Sequence, residues 1–477
     1  MNILFLSAEF GPLVKVGGLA DVAYELPLKL REQGMDVRLV FPFYPMLDRS
    51  KLNAEPVRSI EVDRQGKPVR AQIYQTEFDG IPIYLIDGEP IQCSPDAYPG
   101  QPLESERFIF FSLAALAFIR ASGWVPDIMH ANDWHTSTAV VALRKARSRD
   151  GFWKNTGSLL TIHNLPYMGA GGEEVVRSYG LNDAENELIP EWGRAYPLPL
   201  GMVAADYLNT VSPTYAQEIQ TRAYGAGLEG ILRARKANLT GILNGIDPDV
   251  WDPACDSQIG FNFSVSEPDG KRANKKALQQ ELDLPVSAEI PLIGMVTRLD
   301  YQKGVDLALE ALAGLQGYPW QFVLLGSGDP ELEQQARSFA SEQPHRSAIR
   351  ILYDGKLARR IYAGCDMFLI PSRYEPCGLT QMIAMRYGTI PVVRATGGLR
   401  DTVISYTDPE SGNGFVFTEE NSTALQKALR DALSFYTDES GWSQLQMRAM
   451  QSDFSWNQAA RQYADLYRKI LSESAAW

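Results

Sequence analysis

At 477 residues the chain is long for a single hydrophobic core, which predicts two domains of similar size. Its formal charge of −13 and pI near 5.0 argue against non-specific nucleic-acid binding and against a polybasic membrane surface, so any anionic ligand must meet a local basic cluster. Cys93, Cys255, Cys365 and Cys377 are scattered without metal-ligand spacing and read as reduced thiols. The histidines are equally sparse, and no metal site is expected.

An apolar strand, Ile3 to Ser7, opens the chain with no signal or transit-type segment ahead of it, so a cytoplasmic protein is expected. A glycine turn and a helix from Leu19 to Gln33 follow, with Leu19, Val22, Ala23, Leu26 and Leu30 on one face and a kink expected at Pro27. The alternating stretch from Val57 to Ile86 predicts extra strands. Phe108 to Ile119 is too short to span a bilayer and predicts a buried helix, after which Asp127–His130 and Leu159–His163 resume the strand rhythm.

The turn-rich segment Asn244-Gly245-Ile246-Asp247-Pro248, after a helical pattern at Leu228–Ala237, predicts the domain boundary. Beyond it, strands at Leu292–Val296, Phe322–Leu325, Ile349–Tyr353, Met367–Ile370 and Ile390–Val393 alternate with helical patterns at Val305–Leu315, Pro330–Ala340, Lys356–Ala363 and Gly378–Tyr387. Short apolar strands alternating with amphipathic helices mean parallel sheets covered on both faces. The expectation is therefore α/β, with two doubly wound Rossmann-like domains facing a central cleft: 1–244, 245–455, and a last helix, 456–477, packing back on the first domain. In such folds ligands bind beyond the carboxyl ends of the strands.

Three segments stand at predicted strand ends. Lys15-Val16-Gly17-Gly18-Leu19 places a lysine before paired glycines at a helix start, a combination suited to a phosphate. Thr297-Arg298-Leu299-Asp300-Tyr301-Gln302-Lys303-Gly304 offers two cations from one strand end, able to clamp a pyrophosphate. Pro371-Ser372-Arg373-Tyr374-Glu375-Pro376-Cys377-Gly378-Leu379-Thr380 puts a carboxylate just ahead of helix amides. Taken singly, each has a plain structural alternative: a surface lysine, solvated cations, a capping glutamate. His163 also ends an apolar strand, where a histidine is more often structural than catalytic. His130, Asp133 and His135 sit at another strand end, with spacing that fits no standard metal site. A second glycine pair, Gly397-Gly398-Leu399, lacks an adjoining lysine and is expected to shape a turn.

Together these segments resemble the bacterial glycogen synthase and plant starch synthase family, retaining glucosyltransferases that extend α-1,4-glucan. The similarity runs from Lys15-Val16-Gly17-Gly18-Leu19-Ala20-Asp21 to Asp453-Phe454-Ser455-Trp456, and Arg373-Tyr374-Glu375-Pro376-Cys377-Gly378-Leu379-Thr380-Gln381 is its most specific part. The resemblance implies the two-domain GT-B architecture, ADP-glucose as donor, an α-1,4-glucan (glycogen, a starch-like polymer or malto-oligosaccharides) as acceptor, and no cofactor or metal. It implies a catalytic set of His163, Arg298, Lys303 and Glu375. Lys15, Gly17, Gly18, Asp21, Tyr353, Cys377, Gly378, Leu379 and Thr380 would bind the donor, with Asp133, Trp134, His135, Asn164 and Asn244 as further lining. Three departures are visible: Ile383 stands where the wider class often has a second Glu, Val16 replaces a frequent Thr, and Pro166-Tyr167-Met168-Gly169 differs on the acceptor side. UDP-glucose as donor, a small acceptor, or a catalytically weak glucan-priming or glucan-binding role remain alternative readings.

Overall fold

The apolar runs of the sequence become the strands of two sheets, and the amphipathic segments between them become the covering helices. The computed structural model describes residues 1–182 and 186–474. The chain divides into two compact units, Met1–Asn244 with the C-terminal helix from Trp456, and Gly245–Ser455.

In the first unit, β1 (Asn2–Leu6), β2 (Asp36–Pro42), β3 (Glu55–Arg64), β4 (Lys67–Phe78), β5 (Ile81–Asp87), β6 (Ile128–Asn132), β7 (Gly157–Ile162), β8 (Tyr207–Thr210) and β9 (Leu239–Gly241) form one sheet. Its order is β3-β4-β5-β2-β1-β6-β7-β8-β9, parallel except for the antiparallel hairpins β3–β4 and β4–β5. These hairpins are the extra strands expected between Val57 and Ile86. The helix Leu103–Ser122 contains the predicted apolar helix and is buried along most of its length, Phe108, Phe110 and Phe111 included. The helix Gly18–Glu32 runs unbroken through Pro27, whose ring is buried.

In the second unit, β10 (Leu292–Val296), β11 (Gln321–Leu325), β12 (Ser347–Arg350), β13 (Met367–Ile370), β14 (Ile390–Arg394) and β15 (Phe415–Phe417) form a wholly parallel sheet. Its order, β12-β11-β10-β13-β14-β15, is the doubly wound Rossmann arrangement. Several element ends differ from expectation by a residue or more, and two of these differences bear on the site. β12 pairs Ser347 with Phe322 and Arg350 with Leu325, so it ends where its partner ends, and Tyr353 lies in the loop beyond rather than in the strand. The helix expected from Gly378 begins at Thr380, because Gly378 takes a left-handed φ of +73° that ends the preceding turn.

The C-terminal helix Trp456–Ser474 packs on the helix Gly18–Glu32 and on β7. A buried polar network fixes its register: Tyr467 Oη lies 2.8 Å from His130 Nδ1, and Asn209 Nδ2 donates to Tyr463 Oη at 2.8 Å.

Candidate active site

A doubly wound sheet has a topological switch point where consecutive connections leave in opposite directions, and the loops there splay apart to leave a crevice. In the first unit that point lies between β1 and β6, in the second between β10 and β13. Most of the chemistry-bearing residues collect at these two strand ends.

In the first unit, Asp133 follows β6 with φ +56°, a left-handed conformation that Asp and Asn tolerate better than most residues. Its Oδ1 accepts from the backbone N–H of His163 at 2.7 Å and of Asn164 at 3.4 Å, joining the ends of β6 and β7. Burial raises the Asp133 carboxyl to about 7 despite those two bonds. His163 Nε2 lies 2.9 Å from Asn132 Oδ1, and Asn132 spends its Nδ2–H on the Leu6 carbonyl. With that amide orientation Nε2 carries the proton and Nδ1 is the acceptor. Burial lowers His163 to about 3, so its ring is neutral at physiological pH.

His135 is also lowered to about 3 by burial, and its ring packs against Tyr98, Phe108 and Trp134. His130 spends both ring nitrogens, on Tyr467 Oη and on Thr161 Oγ1. Among the described residues no group of His, Cys, Asp and Glu is arranged to hold a metal ion. Among the described residues, Asn164 and Asn244 each keep a buried side-chain oxygen without a protein partner.

The glycine turn departs from expectation in one respect. The Gly17 amide is not open: it donates to Glu9 Oε2 at 2.8 Å, beside Val16 N–H at 2.9 Å. Lys15 reaches Asp21 at 2.6 Å, both side chains being substantially exposed. Gly18 begins the helix.

In the second unit the loops after β10 and β13 bring Lys303 and Glu375 together. Lys303 Nζ lies 2.7 and 2.9 Å from the two Glu375 oxygens, and Ser372 Oγ donates to Glu375 Oε2 at 2.8 Å. Asp300 caps the short 3-10 turn Tyr301–Lys303 by accepting from Lys303 N–H. Gly304, at φ +64°, closes that turn where a Cβ would stand 2.4 Å from the Pro371 carbonyl. Arg373 stitches the two loops: its guanidinium donates to Asp306, Glu420 and the Tyr301 carbonyl and stacks 3.7 Å from the Tyr301 ring centroid.

Arg298 pairs with Asp300 at 3.0 Å and stays largely exposed. Gly378, Leu379 and Thr380 form the turn into the following helix, Cys377 is buried, and Tyr353, 91% exposed, presents a free ring face after β12. The second glycine pair shapes this turn from beneath. A Cβ on Gly397 would stand 1.8 Å from the Glu375 carbonyl and one on Gly398 2.0 Å from that of Cys377, while Gly398 N–H donates to Glu375 O at 3.1 Å.

Four residues of these clusters have no role assigned from the sequence, although Ser372 and Arg373 lie in a quoted segment: Glu9, Asn132, Ser372 and Arg373. Glu9 had a signal, an acid lodged in the apolar run Ser7–Phe10. Ser372 acts on Glu375 three residues on, and Asn132 and Arg373 act through partners distant in sequence.

Comparison with known proteins agrees with this fold. A family model described as the starch synthase catalytic domain matches residues 2–234, and one for glycosyl transferases group 1 matches residues 281–444. A glycogen synthase of Syntrophotalea carbinolica is 42% identical over 99% of this chain and 99% of its own. The catalytic domain of starch synthase IV from Arabidopsis thaliana, solved bound to ADP and acarbose, superposes with a TM-score of 0.88 at 35% identity, covering 99% of both chains. A sucrose-phosphate synthase of Thermosynechococcus elongatus, at 20% identity and a TM-score of 0.63 over 99% of both chains, shares the fold. Two parallel-sheet Rossmann-like units, a Lys–Glu pair at the second switch point and full-length kinship lead to one conclusion: the chain belongs to the glycogen and starch synthase family and is a glycosyltransferase of GT-B fold.

Proposed function

We propose that the enzyme transfers glucose from ADP-glucose to the non-reducing end of an α-1,4-glucan with retention of configuration. The observation that carries this reading is the Lys303–Glu375 pair at the β10/β13 switch point, a cation and a carboxylate side by side where a doubly wound sheet binds its ligand. The ADP and acarbose held by the Arabidopsis relative support a nucleotide-sugar donor and a glucan-like acceptor. The four cysteines form no disulfide, which supports a cytoplasmic site of action.

As the bond from the anomeric carbon to phosphate breaks, the sugar takes on oxocarbenium character and negative charge grows on the leaving diphosphate. Arg298 and Lys303 receive that charge, each strong donor being worth roughly 3 kcal/mol in the transition state, and in this reading no metal is required. Lys15 and the amides of Gly18, Leu379 and Thr380 supply further positive potential, and the exposed Tyr353 ring offers a face for the base. Glu375, held by Lys303 and Ser372, and neutral His163 contact the transferred glucose. Ile383 stands in place of a second carboxylate, so the reaction takes a front-face route in which the leaving phosphate helps deprotonate the acceptor hydroxyl.

The test is transfer of labelled glucose from ADP-glucose or UDP-glucose to glycogen. Incorporation from ADP-glucose is expected. No transfer to glycogen from either donor would sink the proposal, and incorporation confined to a small sugar would select a different acceptor class.

A further inference from the structure

Glu9 is a carboxylate in an unusual place. It is only 5% exposed, in an otherwise apolar segment leaving β1, and both its oxygens are engaged. Oε2 accepts the N–H groups of Val16 and Gly17 at 2.9 and 2.8 Å, and Oε1 accepts the Tyr98 hydroxyl at 2.7 Å. With one oxygen accepting both N–H groups, this single side chain ties down two consecutive amides of the glycine turn.

The anchor behind Glu9 is rigid. Tyr98 packs against Phe108 and His135, with ring centroids 5.9 and 5.1 Å apart. The segment leading to Tyr98 hangs on Arg107, fully buried on the helix Leu103–Ser122, whose guanidinium donates to the carbonyls of Ile91, Ser94 and Ala97. Solid contacts thus run from the interior of the first unit to the turn that carries Lys15.

Backbone bonds hold the flanks of the turn, between Phe10 and Val14 ahead of it and from Ala20 N–H to Gly17 O at 3.3 Å behind it, and the Val16 and Gly17 amides between them are held by Glu9. Gly17 is extended at φ −141°, a conformation any residue adopts, and a Cβ there would come no nearer than 4.0 Å to another atom, the Glu9 oxygen itself. The Lys15–Asp21 pair is exposed on both sides, and such pairs contribute little.

We infer that Glu9 is a positioning residue: it holds the Lys15–Gly18 turn in the geometry that receives the donor phosphates, through the Val16 and Gly17 amides and without contacting the donor. The inference rests on the donor role proposed above for Lys15.

Full-length Glu9→Ala and Glu9→Gln variants test it with two measurements. The first is amide hydrogen exchange of the turn without substrate, and the second is steady-state kinetics with ADP-glucose and glycogen varied separately. The glutamine keeps an oxygen for the two N–H groups and offers its –NH₂ to the Tyr98 oxygen, so it preserves the brace without the charge. Glu9→Ala is expected to speed exchange at Val16 and Gly17 and raise the KM for ADP-glucose, each about tenfold, leaving the KM for glycogen unchanged; Glu9→Gln stays within about threefold of wild type on every measure. Three results overturn the inference: unchanged exchange in Glu9→Ala, a fall in its donor KM, which would mean the carboxylate competes with phosphate, or turnover in Glu9→Gln as poor as in Glu9→Ala, which would mean the charge acts on substrate. Should Glu9→Ala not accumulate as folded protein, Glu9→Asp, with its carboxylate drawn back by one methylene, carries the same readouts. If wild type transfers no glucose from ADP-glucose, the donor reading falls, while the exchange measurement still judges the brace.

Discussion

Removing Lys303 and removing Glu375 each strand a buried partner. The Glu375 side chain, 8% exposed, loses the Lys303 amine in one variant; the fully buried Ser372 hydroxyl loses its Glu375 acceptor in the other, while Lys303, 22% exposed, can turn its amine to water. Lys303→Ala and Glu375→Ala should therefore each destabilise by about 1–3 kcal/mol, the cost of a buried group losing its partner. Both should lose about a hundredfold or more in turnover, as for other removed transition-state contacts. Denaturant midpoints and initial rates check the two halves independently, and near-normal turnover in folded Glu375→Ala would take that residue out of the mechanism. Asp133 gives a pH signature. Its carboxyl is raised from 3.8 to about 7 in the native state, so between those values the folded protein holds a proton that the unfolded chain has released. Stability must then fall as pH rises through this window, by up to about 1.4 kcal/mol per pH unit, and level off above it. Asp133→Asn has no such proton and suits the left-handed backbone, so its stability relative to wild type should climb from pH 4 to 7; a gap independent of pH would contradict the assignment. The residues legible in the sequence were those standing at predicted strand ends, Lys303 and Glu375 among them. That these two pair, and that Arg373 sews their loops together, depends on contacts between loops far apart in the chain, which no local pattern encodes.

Strands and helices were largely legible because a parallel strand buried on both faces must be apolar throughout, and the helix covering it must carry one apolar stripe. The ends were less so. β12 stops where β11 stops, a register effect, and the helix at Thr380 starts late because Gly378 is spent on the turn. The two glycine pairs look alike in sequence yet divide sharply in the structure. At Gly17 a methyl group meets nothing closer than 4.0 Å, whereas at Gly398 it would stand 2.0 Å from the Cys377 carbonyl oxygen. Gly17→Ala should change stability by less than about 0.5 kcal/mol, while Gly398→Ala should displace the turn beneath Glu375 and cost more than about 3 kcal/mol. Thermal or denaturant unfolding of the two variants, run side by side, decides the matter, and equal effects would contradict the close approach seen beneath the second pair.

At the scale of the whole molecule, the C-terminal helix is part of the first unit's core rather than an appendage. Trp456, Tyr463, Tyr467 and Ile470 are all essentially buried, and Tyr467 satisfies a histidine on β6. Tyr467→Phe leaves His130 Nδ1 buried without its partner and should destabilise by about 1–3 kcal/mol. Burial also holds His130 well below its ordinary value of 6.5, so the unfolded chain takes up a proton that the native state refuses, and stability falls as pH drops below 6.5. A Tyr467→Phe midpoint equal to wild type would show that the network does not anchor the helix. The chain leaves the first unit at Asn244 and returns at Trp456, and the outgoing and returning segments are bound side by side, with Ile246 N–H donating to Phe454 O at 2.8 Å. This return has a consequence for biosynthesis. The unit begun first on the ribosome is finished last: after Asn244 emerges, all of Gly245–Ser455 must be made, about 10–40 s at ordinary elongation rates, before the helix that covers His130, Thr161 and Asn209 exists. During that interval the polar groups of His130 and Asn209 stand without the Tyr467 and Tyr463 hydroxyls that satisfy them in the finished fold.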